Sequence, residues 1–97
     1  MRNRFLVAYD IRDSKRLRQV YKAMHDFGSP LQYSVFQCDL SDIEKTRMMD
    51  EMRDLIHHDE DRVMVVDIGP LEGRAASAFE FIGETSRLPD EPGPTII

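Results

Sequence analysis

The sequence contains no tryptophan and a single cysteine, Cys38. One cysteine excludes an internal disulfide and cannot by itself build a cysteine-based zinc site. No apolar run approaches the ~20 residues that a membrane-spanning helix needs. Near the N-terminus, Arg2 and Arg4 precede a short apolar run that ends at Asp10, which is not the pattern of a secretory leader. The expected compartment is therefore the cytoplasm, with no membrane partner. No internal repeat is present. Glycine-rich phosphate loops, serine nucleophile motifs and zinc-finger spacings are also missing.

What is present describes one domain. The 97 residues are 41% hydrophobic and 32% charged, a globular composition rather than a disordered one. A chain of this size buries roughly 60–65% of the surface it exposes when unfolded, so one compact core is feasible on a thin margin. Six methionines suit an adaptable core or a pliant interface. The net charge of −5 argues at first against nucleic acid, but the charge is unevenly placed. Residues 1–38 carry seven Lys/Arg against three Asp/Glu, whereas 39–97 carry six against fifteen. Such asymmetry produces a local positive field that the mean hides.

Phe5-Leu6-Val7-Ala8-Tyr9 reads as a strand buried on both faces. Asp13 or Ser14 can cap the helix that follows. Leu17, Val20, Tyr21, Met24 and Phe27 recur at helical spacing, with Gly28 as the residue beyond the helix and Pro30 preventing continuation. Leu31 to Leu40 is either one bent strand or a very short hairpin. Ser41 with Glu44 forms a capping box. Met48, Met49, Met52, Leu55 and Ile56 then give a second helix its apolar stripe, closed by His57 and His58. Arg62 to Gly69 contains a buried strand stopped by Gly69-Pro70, and Phe79-Glu80-Phe81-Ile82 is a weaker final strand. The order β-α-β-β-α-β with an extra C-terminal strand, and two helices on one face of an antiparallel sheet, predicts an α+β, ferredoxin-like sandwich.

Residues 1–97 thus read as one domain, with a core at 1–83 and an extended tail at 84–97. Thr95-Ile96-Ile97 is an apolar terminus, expected to pair as a strand with a partner protomer rather than stay in water. The open sheet face and this tail both favour a homodimer.

Asp10 is the first candidate for chemistry, because a carboxylate at the end of a buried strand is held by a rigid element. One carboxylate is a poor metal site, but two copies meeting about a twofold axis could hold one Mg²⁺. Such an ion activates water and stabilises charge on a phosphodiester. The competing reading is a plain turn or capping carboxylate. The second candidate is the basic first helix: Arg12, Lys15, Arg16, Arg18 and Lys22 form a stripe that attracts a phosphate backbone, or else a solvated face. Tyr33 and Phe36 could stack on bases or pack on a strand. His57 and His58 suit a helix C-terminus better than a metal. Cys38 reads as a buried small hydrophobe, and Asp59-Glu60-Asp61 as a solvated loop.

Two segments together resemble a known family. Tyr9-Asp10-Ile11 is followed by Asp13 and by Lys15-Arg16-Leu17-Arg18, and Gly28 is followed by Gln32-Tyr33-Ser34-Val35-Phe36. This pairing is similar to the small CRISPR-associated adaptation protein Cas2, known as an endoribonuclease. The likeness runs from about Phe5 to Pro70, and more loosely through Phe79 to Gly83 and the closing Thr95-Ile96-Ile97. It implies a ferredoxin-like homodimer with C-terminal strands crossing to the partner. It implies Mg²⁺ between the two copies of Asp10, with Asp10 as the catalytic residue. It also implies that Arg16, Arg18 and Phe36 lie near the site or the nucleic acid. Tyr9, which flanks Asp10, is a candidate to line the site.

Members of that family act in spacer acquisition and bridge dimers of the CRISPR integrase, Cas1. Some are nucleases on single-stranded RNA, some on double-stranded DNA, and some act as scaffolds. One departure stands out: many members carry an arginine shortly before the glutamine of the second motif, where this chain has Ser29, Pro30 and Leu31. Two functions are therefore expected to compete. One is an Mg²⁺-dependent endonuclease on RNA or duplex DNA. The other is a non-catalytic dimer that binds protospacer DNA and bridges the integrase.

Overall fold

A computed structural model describes residues 1–83. The elements run β1 (Asn3–Asp10), α1 (Ser14–Met24), β2 (Ser29–Gln32), β3 (Val35–Leu40), α2 (Asp42–Leu55), β4 (Arg62–Pro70) and a short 3-10 helix (Arg74–Ser77). The four strands form one sheet in the order β2-β3-β1-β4, and every pairing is antiparallel. This is the ferredoxin-like order that the sequence predicts.

β1 is central, yet it is not buried on both faces as its composition suggested. Phe5, Val7 and Tyr9 are buried, while Leu6 and Ala8 between them are only half-buried. The alternation follows from the strand's period of two. The buried face meets Phe36, Cys38 and Leu40 of β3 and, above them, Val20, Tyr21 and Met24 of α1 with Met48 and Met52 of α2. The opposite face carries Leu6, Ala8, Val35, Val66 and Met64, with Met64 half exposed. β4 is correspondingly an edge strand of mixed burial, not the fully buried strand its Val63-Met64-Val65-Val66 run implied.

The helix ends follow local chemistry. Asp13 caps α1 by accepting from the Arg16 backbone N–H at 2.9 Å. Ser41 and Glu44 complete the expected capping box on α2. α1 stops at Met24, a turn earlier than the apolar spacing through Phe27 suggested. Gly28 is not a left-handed cap either. It lies where a Cβ would collide with the Gln37 carbonyl and with Cys38 of β3, so glycine is required by close packing.

The ambiguous segment 31–40 resolves into a hairpin with a two-residue turn at Tyr33-Ser34. Pro30 sits inside β2, which is an edge strand and so tolerates a missing N–H. The expected strand at Phe79–Ile82 is not formed. The chain after β4 turns into the 3-10 helix, whose buried Ala75 docks beside Arg4 (Arg4 Nη1 to the Ala75 carbonyl, 3.2 Å). Residues 78–83 make no ladder. The tail at 84–97, with the expected pairing of Thr95-Ile96-Ile97, lies outside the described residues.

Candidate nucleic-acid interface and metal site

At one end of the sheet the β1–α1 loop meets the α2–β4 loop. Asp10 closes β1 and is exposed; its partner across the ladder is Arg62, the first residue of β4. Immediately before Arg62 stands Asp61, whose side chain is fully enclosed. Its Oδ1 accepts the Arg12 backbone N–H at 2.9 Å. Its Oδ2 accepts the His57 backbone N–H at 2.8 Å and Arg16 Nε at 2.8 Å. Arg16 Nη2 reaches Glu60 at 3.0 Å as well. The Arg16 hydrogen bond, with smaller help from the two backbone donors, holds the Asp61 carboxyl far below the usual carboxylate range.

Asp61 therefore ties both loops together, and it sat in a charge run that the sequence presented as solvated. The missed signal is positional. Asp61 precedes an antiparallel neighbour of β1, so it lands beside the end of β1, but only the sheet order reveals this. Arg16, expected to face phosphate, is already matched by two carboxylates.

The other four basic candidates differ from it. The side chains of Arg12, Lys15, Arg18 and Lys22 make no ion pair or hydrogen bond with the described residues. Three of them lie on α1, and Arg12 lies in the loop that leads into it. Unneutralised cations of this kind are what a phosphate backbone meets.

Of the expected aromatic residues, neither Tyr9 nor Phe36 is open to a ligand. Phe36 is fully buried because β3's alternation turns it toward α1, where the rings of Tyr21 and His25 meet it at 5.5 and 5.3 Å. It braces this end of the core and presents no face for stacking. Tyr9 is buried beside it at 6.2 Å and donates its hydroxyl to the Tyr33 carbonyl at 2.9 Å. Tyr33 itself is exposed on the hairpin turn.

Cys38 is buried, and burial pushes its thiol up to about 12, which leaves it an inert small hydrophobe as expected. His57 and His58, expected to close α2, lie just beyond it: the helix ends at Leu55 with Ile56 as its cap. His57 Nδ1 accepts from the Asp59 N–H at 3.3 Å, and a His58 ring nitrogen lies 3.0 Å from the Arg53 carbonyl.

The donor set bears on a metal. Among the described residues no three His, Cys, Asp or Glu side chains cluster to hold one. Asp10 is exposed and makes no ion pair or side-chain hydrogen bond with them. Mg²⁺ binds through one or two carboxylates and keeps several waters. One chain thus supplies an available oxygen donor that fits half of a two-carboxylate site.

Comparison with known proteins agrees with this arrangement. The family described as CRISPR associated protein Cas2 matches residues 3–72. The CRISPR-associated endoribonuclease Cas2 of Geobacter sulfurreducens is 43% identical over 72 residues, covering 74% of this chain and 76% of that one. A CRISPR-associated endoribonuclease Cas2 of Thermodesulfovibrio yellowstonii is 41% identical over 90 residues, covering 93% of each. The crystal structure of Streptococcus pyogenes Cas2 at pH 6.5 superposes with a TM-score of 0.71 at 27% identity, over 82% of this chain and 99% of that one. A match that spans the whole sheet and both helices settles the family: this chain belongs to the Cas2 proteins.

Proposed function

We propose that this chain works in CRISPR adaptation as a homodimeric endonuclease on single-stranded RNA, with double-stranded DNA as a second substrate. The observation that carries this reading is an exposed strand-end carboxylate, Asp10, four residues ahead of a helix on which Lys15, Arg18 and Lys22 make no ion pair with the described residues. The half-buried apolar sheet face of Leu6, Ala8, Val66 and Met64 is the surface through which two copies would join. Joining brings two Asp10 carboxylates into one site, where they would hold Mg²⁺. The ion supplies Lewis acidity and charge neutralisation at the phosphodiester.

The chain's own residues do the rest. Arg12, Lys15, Arg18 and Lys22 attract and orient the backbone. Arg16, bonded to Asp61, keeps the loop after Asp10 in place. Water adds across the P–O bond, giving a phosphate monoester and a free hydroxyl. The names of the relatives as endoribonucleases support this reading.

The test is cleavage of labelled single-stranded RNA and duplex DNA with Mg²⁺ and with EDTA. Asp10→Ala runs alongside, after gel filtration has established that it is dimeric. The expected result is cleavage that needs both Mg²⁺ and Asp10. Equal cleavage by the variant, or cleavage in EDTA, refutes the reading.

A second reading is favoured by the chemistry around Asp10. The nearby carboxylate Asp61 is fully engaged by Arg12, Arg16 and His57, which removes it as a general base for that site. Ser29, Pro30 and Leu31 also stand where many relatives carry arginine. On that reading the dimer is a scaffold that binds protospacer DNA and bridges the integrase Cas1. Spacer acquisition would then survive Asp10→Ala and fail on charge reversal along α1.

A further inference from the structure

Tyr33 is 64% exposed on the β2–β3 turn, yet it is not loosely held. Its carbonyl accepts the Tyr9 hydroxyl at 2.9 Å. Its ring meets the edge of Tyr21 at 4.9 Å and an interplanar angle of 63°. Tyr21 is itself buried between Phe36 and His25, at 5.5 and 4.8 Å. The exposed ring therefore stands on a braced aromatic stack.

Beside it, α1 presents Leu17, Arg18 and Lys22. These three with Tyr21 and Tyr33 line a cleft of about 280 Å³. Arg18 and Lys22 are four residues apart, so they share one face of the helix. Neither is neutralised by an ion pair with the described residues. The volume falls below the roughly 300–1,000 Å³ of ordinary small-molecule pockets, which suits a single base and its phosphate better than a larger ligand.

We propose that this cleft binds one unpaired nucleotide, with its base stacked on Tyr33 and its phosphate held by Arg18 and Lys22. A held aromatic ring beside two free cations is the pairing that single-stranded nucleic acid selects. A base inside a duplex stays in its own stack and cannot reach Tyr33, although the duplex phosphates can reach the cations. The cleft therefore reads strand state: it favours an unpaired segment over a continuous duplex. The proposal rests on the nucleic-acid reading above and adds to it the cleft and the residues that grip an unpaired nucleotide. RNA and single-stranded DNA share the chemistry, so both are probed.

The experiment measures binding of the full chain to labelled single-stranded RNA, single-stranded DNA and a blunt DNA duplex. The single strands carry a fluorescent adenine analogue whose emission falls on stacking. Tyr33→Ala is expected to weaken single-strand binding by about tenfold or more, to abolish the quenching and to leave duplex binding unchanged. Tyr33→Phe keeps the ring and should retain both signals. Loss on RNA alone or on DNA alone supports the cleft and assigns its source. An equal loss on duplex and single strands, or no loss on single strands, overturns the proposal. Wild-type binding to duplex without any to single strands also overturns it while the nucleic-acid reading stands. Binding to none of the probes overturns both.

Discussion

The contrast between Arg16 and its neighbours yields a quantitative prediction. Both Arg16 and Arg18 sit on α1, but Arg16 is matched by Asp61 and Glu60, whereas Arg18 makes no ion pair with the described residues. Only unpaired cations displace counterions from DNA. If Arg12, Lys15, Arg18 and Lys22 each neutralise one phosphate, the slope of log K against log salt for a blunt duplex is about −3.6. Raising salt from about 50 to about 200 mM then costs about 150-fold in affinity. Arg18→Gln should lower the slope to about −2.7 and the loss to about 40-fold. Arg16→Gln should leave the slope where it was. If both helices of a dimer meet one duplex, every figure doubles in the exponent and the contrast persists. Fluorescence anisotropy across a salt series reads it directly. A slope that falls as much for Arg16→Gln as for Arg18→Gln would refute the reasoning, because Arg16 would then have left Asp61 for phosphate.

Two further predictions concern the framework. Gly28→Ala drives a methyl into the β3 backbone and Cys38, so it should cost about 1–3 kcal/mol, read as a lowered midpoint in urea; an unchanged midpoint would show that β3 yields freely. Asp61 has a depressed folded-state pKa, so the stability it contributes is present above its ordinary value of 3.8 and is lost as pH falls below that value. Asp61→Asn should therefore melt lower at neutral pH and lose less on acidification than wild type, and parallel acid limbs for the two proteins would count against the latch.

Much of this protein follows from local pattern. Asp13 as a cap, Ser41 with Glu44 as a capping box, and the methionine stripe of α2 are decided by residues within a turn of one another, so short-range order is enough to place them. The same holds for the ferredoxin-like order of elements. Errors gathered where local order is silent. The apolar runs of β1 and β4 look alike as strings, but whether one face or both is covered depends on how many layers stack on the sheet. Phe79-Glu80-Phe81-Ile82 has the composition of a strand, yet a strand needs a partner edge, and the 3-10 helix docks instead through Ala75.

The site divides in the same way. The amino-acid order alone places Asp10 at a strand end and a basic stripe on the first helix, because strand and helix periods assign those positions. It could not separate Arg16 from Arg18, since both are arginines on one helix and the partner of the first lies forty-five residues away. Nor could it exchange the roles of Phe36 and Tyr33, which depend on where the hairpin turn falls and which ring the next layer covers. Charge pairing and burial are properties of distances through space. In this protein the antiparallel placement of β4 beside β1 set those distances, and it decided which cations remain free to meet a phosphate.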